Sequence, residues 1–120
     1  MIKKIIMTTF LLSFSMVSLA GGWTTYSSSD TKGSIENIEV IRAQGFMIFG
    51  ELGDPANCGN TGYLWVAINH PQYEQLYSMA LTAFTAGKKI QAYAHSCTDV
   101  GWHGGSFSTL GGAGGMYIRH

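Results

Sequence analysis

A mainly β domain with one helix is what this sequence predicts, and three observations carry it. The short runs "GFMIFGEL" and "YLWVAI" are rich in aromatic and β-branched residues and bounded by Gly and Asn, as buried strands are. Only the stretch from Asn69 to Gly87 repeats apolar residues at helical spacing between a start and a stop signal. "KKIQAYAHSC" then alternates with the period of a strand that buries one face.

Taken in order, the elements begin after a leader. Lys3 and Lys4 precede an apolar run from Ile5 to Val17, and small residues follow at Ser18 and Ala20. That is the pattern of a secretory signal peptide, residues 1–20, with cleavage expected after Ala20. Thr8, Thr9, Ser13 and Ser15 interrupt the run, unlike the roughly 20 apolar residues that span a bilayer. Residues 21–120 then form a single exported domain, secreted or periplasmic, with no membrane span after cleavage. "GGWTTYSSSDTKG" at its start is polar and rich in turn formers, so it reads as a mobile or edge-lying segment.

"SIENIEVIRA" fits both a helical period and a broken strand, and a strand from about Ile38 to Arg42 is favoured because β-branched residues dominate it. "GFMIFGEL" and "YLWVAI" follow, joined by a long loop that carries Cys58. Asn69 or His70 is placed to cap the helix and Pro71 to open it. Tyr73, Leu76, Tyr77, Ala80, Leu81 and Phe84 make its apolar stripe, and Gly87 supplies a left-handed stop. In the next strand Ile90, Ala92 and Ala94 share one face, while Gln91, Tyr93, His95 and Cys97 share the other. "GGMYIRH" reads as the last strand, and "SFSTL" alternates too, a candidate partner for it in a hairpin through the glycine-rich turn. Strand, strand, strand, helix, strand, strand is the element order of the OB-fold, a five-stranded, partly open antiparallel barrel. An α+β roll of the same content is the alternative.

Without the leader the domain holds five basic and seven acidic residues, a net charge of −2. The basic residues are scattered except for Lys88 and Lys89, so no nucleic-acid partner is expected. Cys58 and Cys97 are the only cysteines, and in an exported domain they are expected to form one disulfide.

The stretch "YLWVAINHPQYEQLYSMALTAFTAGKKIQAYAHSC" resembles the binding subunit of subtilase cytotoxin and its relatives among bacterial toxin B subunits. The likeness covers about a third of the mature chain. It implies an OB-fold, a homo-oligomer in the form of a ring pentamer, a host-cell glycan as ligand and a catalytic toxin subunit as partner. The N-terminal segment and "GWHGGSFSTLGGAGG" do not align with that family, so the resemblance assigns no residue a role.

Enzymatic readings fare poorly on the residues themselves. His95, Cys97, Asp99 and His103 offer the donor types that zinc accepts, yet "HSCTDVGWH" has no established ligand spacing, and an oxidised Cys97 is no thiolate. His95, Asp99 and His103 remain the alternative metal set. Ser106 in "GGSFS" lacks the context of a nucleophile elbow. "GGAGG" runs into a strand and not into the helix N-terminus that a phosphate loop needs. The expectation is therefore a binding protein, neither enzymatic nor cofactor-dependent. Its ligand residues are sought among irregular aromatic and short polar groups: Tyr26, Ser28, Asp30, Trp102 and His103, with Trp23 beside them. Such groups suit sugars, whose C–H faces stack on rings and whose hydroxyls both donate and accept. A stand-alone secreted or periplasmic protein-interaction or inhibitor domain is the alternative.

Overall fold

The computed structural model describes residues 21–112 and 114–120, and the expected leader lies outside them. The elements are β1 (Gly22–Trp23), β2 (Ile35–Ile41), β3 (Gly45–Gly50), β4 (Tyr63–Ala67), α1 (Tyr73–Ala86), β5 (Lys89–Val100), β6 (Gly105–Leu110) and β7 (Met116–Arg119). Seven strands thus form the sheet, in the order β1-β5-β6-β4-β3-β2, with β7 also on β5. β2 to β6 take the places of the five strands of an OB-like barrel, the expected last strand "GGMYIRH" is β7, and β1 is a short addition. All pairings are antiparallel except β4 with β6, which run parallel through Trp65 and Thr109. One bridge, Ser34 to Lys89, and the bond from Ile90 N to Gly33 O (2.9 Å) bring the start of β2 back to β5. The sheet therefore curls toward a barrel and stays partly open.

The main core explains which residues had to alternate. Phe46 and Ile48 of β3, Leu64 and Val66 of β4, and Ile90, Ala92 and Ala94 of β5 are almost wholly buried against Leu76, Ala80 and Ala83 of α1. Each large apolar side chain buried there contributes about 1.5–3 kcal/mol relative to leaving it in water. On the other face of the same strands Ile41, Met47, Trp65, Val100 and Phe107 form a second, smaller cluster.

The helix stops as expected, with Gly87 left-handed (φ 65°) and Lys88 N donating to Ala83 O at 2.8 Å. Its start differs. Pro71 lies before the helix and Gln72 is the cap residue, without a side-chain cap. His70 acts instead on the turn: its Nδ1 accepts from Gln72 N (3.0 Å), so Nε2 carries the proton and donates to Gly111 O (3.0 Å). The contact line runs through Leu76, Ala80 and Ala83, because small alanines let the helix approach the sheet. Leu81 and Phe84, expected in the stripe, are 42% exposed.

The final hairpin does not form. β6 and β7 both pair with β5, through Ala94↔Leu110 and Ala92↔Met116, on the edge away from β1. They lie in succession along one long strand, and the glycine-rich stretch is the excursion between them. The long β5 offers twelve residues, more than either short segment covers alone.

Candidate functional site

β5 positions every group of interest, and a bulge in it decides which faces they take. Ala94 opposes Leu110 and Ser96 opposes Thr109, so His95 is an extra residue relative to β6. The alternation restarts there. Cys97 pairs with fully buried Ser108, while Thr98 pairs with Phe107 of the second cluster. His95, Cys97 and Asp99 therefore do not share one face, contrary to the sequence reading, because strict alternation cannot see an inserted residue. His95 stands with Tyr93, ring centroids 4.8 Å apart, and its Nδ1 is buried without a hydrogen-bond partner.

On the outer surface of β5, β1 and β7 bring three aromatic rings together. Trp23 opposes Tyr93 and Tyr117 opposes Gln91 across the strand pairs. Trp23 stacks on Tyr117 at 5.7 Å with planes inclined by 28°, and meets Tyr93 edge-on at 5.3 Å. Trp23 is 48% exposed and Tyr117 53%, so about half of each residue reaches solvent beside the stack. Arg119 continues this surface. Its Nη1 donates to Gln91 Oε1 (3.1 Å), and its guanidinium lies 4.5 Å from the centre of the Tyr26 ring and 6.0 Å from that of Tyr117. Tyr26 in turn donates its hydroxyl to His120 O (3.2 Å). A shallow cavity of about 350 Å³ opens beside Tyr26, Tyr117, Arg119 and His120.

The polar loop that carries Ser28 and Asp30 borders this surface. Lys89 holds it, donating from Nζ to the carbonyl oxygens of Ser27 (2.7 Å) and Asp30, with its ammonium 6.0 Å from the Tyr26 ring centre. The Asp30 carboxylate is occupied locally, accepting from Lys32 N at 2.9 Å. Ser28 is exposed at the tip.

Trp102 and His103 lie elsewhere, in the turn between β5 and β6. At about 3.3 Å per residue, the twelve residues of β5 put its ends on the order of 35 Å apart. One small ligand cannot touch both Tyr26 and Trp102, so the five expected residues split into two groups. Trp102 is 75% exposed and walls a cleft of about 400 Å³ with Glu39, Val40, Arg42 and Gln44. His103 Nε2 meets Glu39 Oε2 at 2.7 Å, and its ring packs on Phe107 (5.6 Å) and Tyr63 (6.1 Å). Those contacts make His103 a strut that seats the turn on β2.

Cys58 and Cys97 form the expected disulfide, tying the loop between β3 and β4 to β5. Asp54 organises that loop: its carboxylate accepts from Cys58 N (2.9 Å), Gly59 N (2.8 Å) and Ser108 Oγ (3.0 Å). Burial works to raise the Asp54 pKa, but these three bonds outweigh it and hold the carboxyl below its ordinary value. For the alternative metal set, His95 is enclosed by glycines, Asp99 opposes Ser106, and His103 is engaged with Glu39. Among the described residues no three His, Cys, Asp or Glu side chains are grouped to hold a metal ion.

Of the residues on this surface, the sequence reading named Tyr26 and Trp23 and did not name Tyr93, Tyr117 and Arg119 as ligand candidates. Alternation had already set Gln91 and Tyr93 on the face opposite the core, a usable signal for Tyr93. Nothing local marked Tyr117 and Arg119, since their place depends on β7 pairing with β5. What fold and site define together is an OB-like domain bearing an exposed aromatic surface with one guanidinium at its rim. Compared with protein-family models, curated proteins and solved structures, the chain matches none.

Proposed function

We propose that the protein is an exported, non-catalytic binding subunit that recognises glycans, similar in role to the pentameric toxin B subunits its central stretch resembles. The observation that carries this reading is the open stack of Trp23 on Tyr117, with Tyr93 at its edge and the Gln91–Arg119 pair beside it. A pyranose ring lies with its C–H face on such a stack, while amide and guanidinium groups meet its hydroxyls. The exposed Trp102 with Arg42 and Gln44 supports a second contact of the same kind at the far end of β5. Glycan-array screening of residues 21–120, with native mass measurement for the ring assembly, tests the proposal. Binding that disappears in W23A and Y117A supports it; a monomer that ignores every glycan refutes it.

Leu81 and Phe84, exposed side by side on one face of α1, favour a second reading, a secreted or periplasmic domain that docks on or inhibits another protein. Pull-down with the wild type but not with an L81S/F84S variant would support it.

A further inference from the structure

We infer that the Tyr26–Arg119 corner of the aromatic surface selects a sulfate ester on the bound sugar. Lys89 and Arg119 stand directly opposite each other in the β5–β7 pair, an arrangement that repels unless an anion lies between or above the charges. Both cations lie within 6.0 Å of the Tyr26 ring centre. Lys88 adds a third, its Nζ 2.9 Å from His120 Nδ1 at the same corner. Three of the five basic residues of the mature chain thus gather here, although that chain carries a net charge of −2. None of the three has a carboxylate partner: among the described residues the ion pairs are Lys32 with Asp30 and His103 with Glu39. Lys89 meets carbonyl oxygens, and Arg119 the Gln91 amide and the rings of Tyr26 and Tyr117, so no acidic side chain pairs with either.

The preference for a tetrahedral ester over a carboxylate follows from the donors. A single guanidinium with both edges free would match a planar carboxylate in two parallel bonds. Arg119 has already engaged Gln91, and the remaining donors approach from separate strands. Donors spread in this way suit a tetrahedral group with three terminal oxygens. The cavity of about 350 Å³ beside Tyr26, Tyr117, Arg119 and His120 has room for one such substituent next to the ring platform.

The inference rests on the glycan reading of the Trp23–Tyr117 stack, and one experiment separates the two. Matched pairs of glycans, each backbone with and without one sulfate ester, are presented to the wild type, R119Q and W23A, and the best pair is then titrated with a carboxylated counterpart included. The wild type should bind the sulfated member at least tenfold more tightly, with an advantage that shrinks as salt rises. In R119Q that ratio should fall below threefold, while W23A should lose both members. Equal binding of the two members, an unchanged ratio in R119Q, or preference for the carboxylated counterpart overturns the sulfate inference and leaves the glycan reading standing. Binding to no member of any pair overturns both.

Discussion

Gly114 lies against the ring of His95: a Cβ at that position would stand 2.5 Å from His95 Cε1 and 3.0 Å from the Tyr93 carbonyl oxygen. Gly111 has the same neighbour, with a Cβ there 3.0 Å from Nδ1. The bulge swings His95 toward the excursion between β6 and β7, and only glycines leave space for the imidazole. The substitution G114A should therefore cost about 1–3 kcal/mol, as overpacking a closed site does. Thermal melting should show the loss, and in an H95A background the same substitution should cost well under half as much. Equal cost in both backgrounds would mean that the Tyr93 carbonyl, and not the imidazole, sets the constraint.

Asp54 makes the domain sensitive to acid. Its folded-state pKa lies below the ordinary carboxylate value, because three donors favour the charged form more than burial disfavours it. The sign follows directly: this stability is present above the unfolded-state pKa and is lost as pH falls through the folded one. The wild type should therefore lose stability as pH drops below about 4, where unfolded carboxylates begin to bind protons. D54N, which cannot ionise, should be less stable by about 1–3 kcal/mol at neutral pH through the weakened bonds to Cys58, Gly59 and Ser108. Its stability curve should be flatter than that of the wild type in the acid range. Denaturant midpoints at a series of pH values for both proteins would show it.

The disulfide fixes the same loop covalently. Cys58 and Cys97 are separated by 39 positions, and on the loop-closure estimate such a crosslink contributes about 3–4 kcal/mol. Because the staple joins the β3–β4 loop to the strand on which β1, β6 and β7 assemble, its loss should also loosen the outer aromatic surface. Reduction, or the C58A/C97A pair, should lower the unfolding free energy by about that amount and raise amide exchange in β1. Unchanged exchange in β1 would confine the effect to the loop.

How far the sequence carried depended on whether a feature is local. The stop at Gly87 and the burial of Ile90, Ala92 and Ala94 follow from neighbours within a few residues, and both were legible. The Cys58–Cys97 pair was legible for another reason, since the only two cysteines of the sequence leave one partner each. The bulge at His95 was not, because it exists only relative to β6, and one inserted residue turned Cys97 and Asp99 to the other face. The partner of "SFSTL" is β5 and not "GGMYIRH" for a similar reason. Glycines permit a tight turn, yet the twelve-residue β5 gives both terminal segments a partner and the turn becomes an excursion. Tyr117 and Arg119 acquire their neighbours Trp23 and Tyr26 only through that pairing.

The split of the candidate residues gives the last prediction. Trp23 and Tyr117 form one continuous surface, whereas Trp102 belongs to a separate cleft at the other end of β5. If the glycan lies on the stack, truncating either ring removes the contact face or the ring that backs it. An energy loss of about 1.4 kcal/mol corresponds to tenfold in affinity, and loss of a stacked ring should cost at least that. Y117A should thus weaken glycan binding tenfold or more, with a melting temperature close to that of the wild type because the ring is half exposed. W102A should leave the affinity of an isolated small glycan within twofold and reduce only the binding of ligands long enough to reach both ends. Titration of a short and a long glycan against the two variants checks this. A tenfold loss for the short ligand in W102A, with none in Y117A, would move the primary site from the β1–β5–β7 surface to the turn beside Glu39 and Arg42.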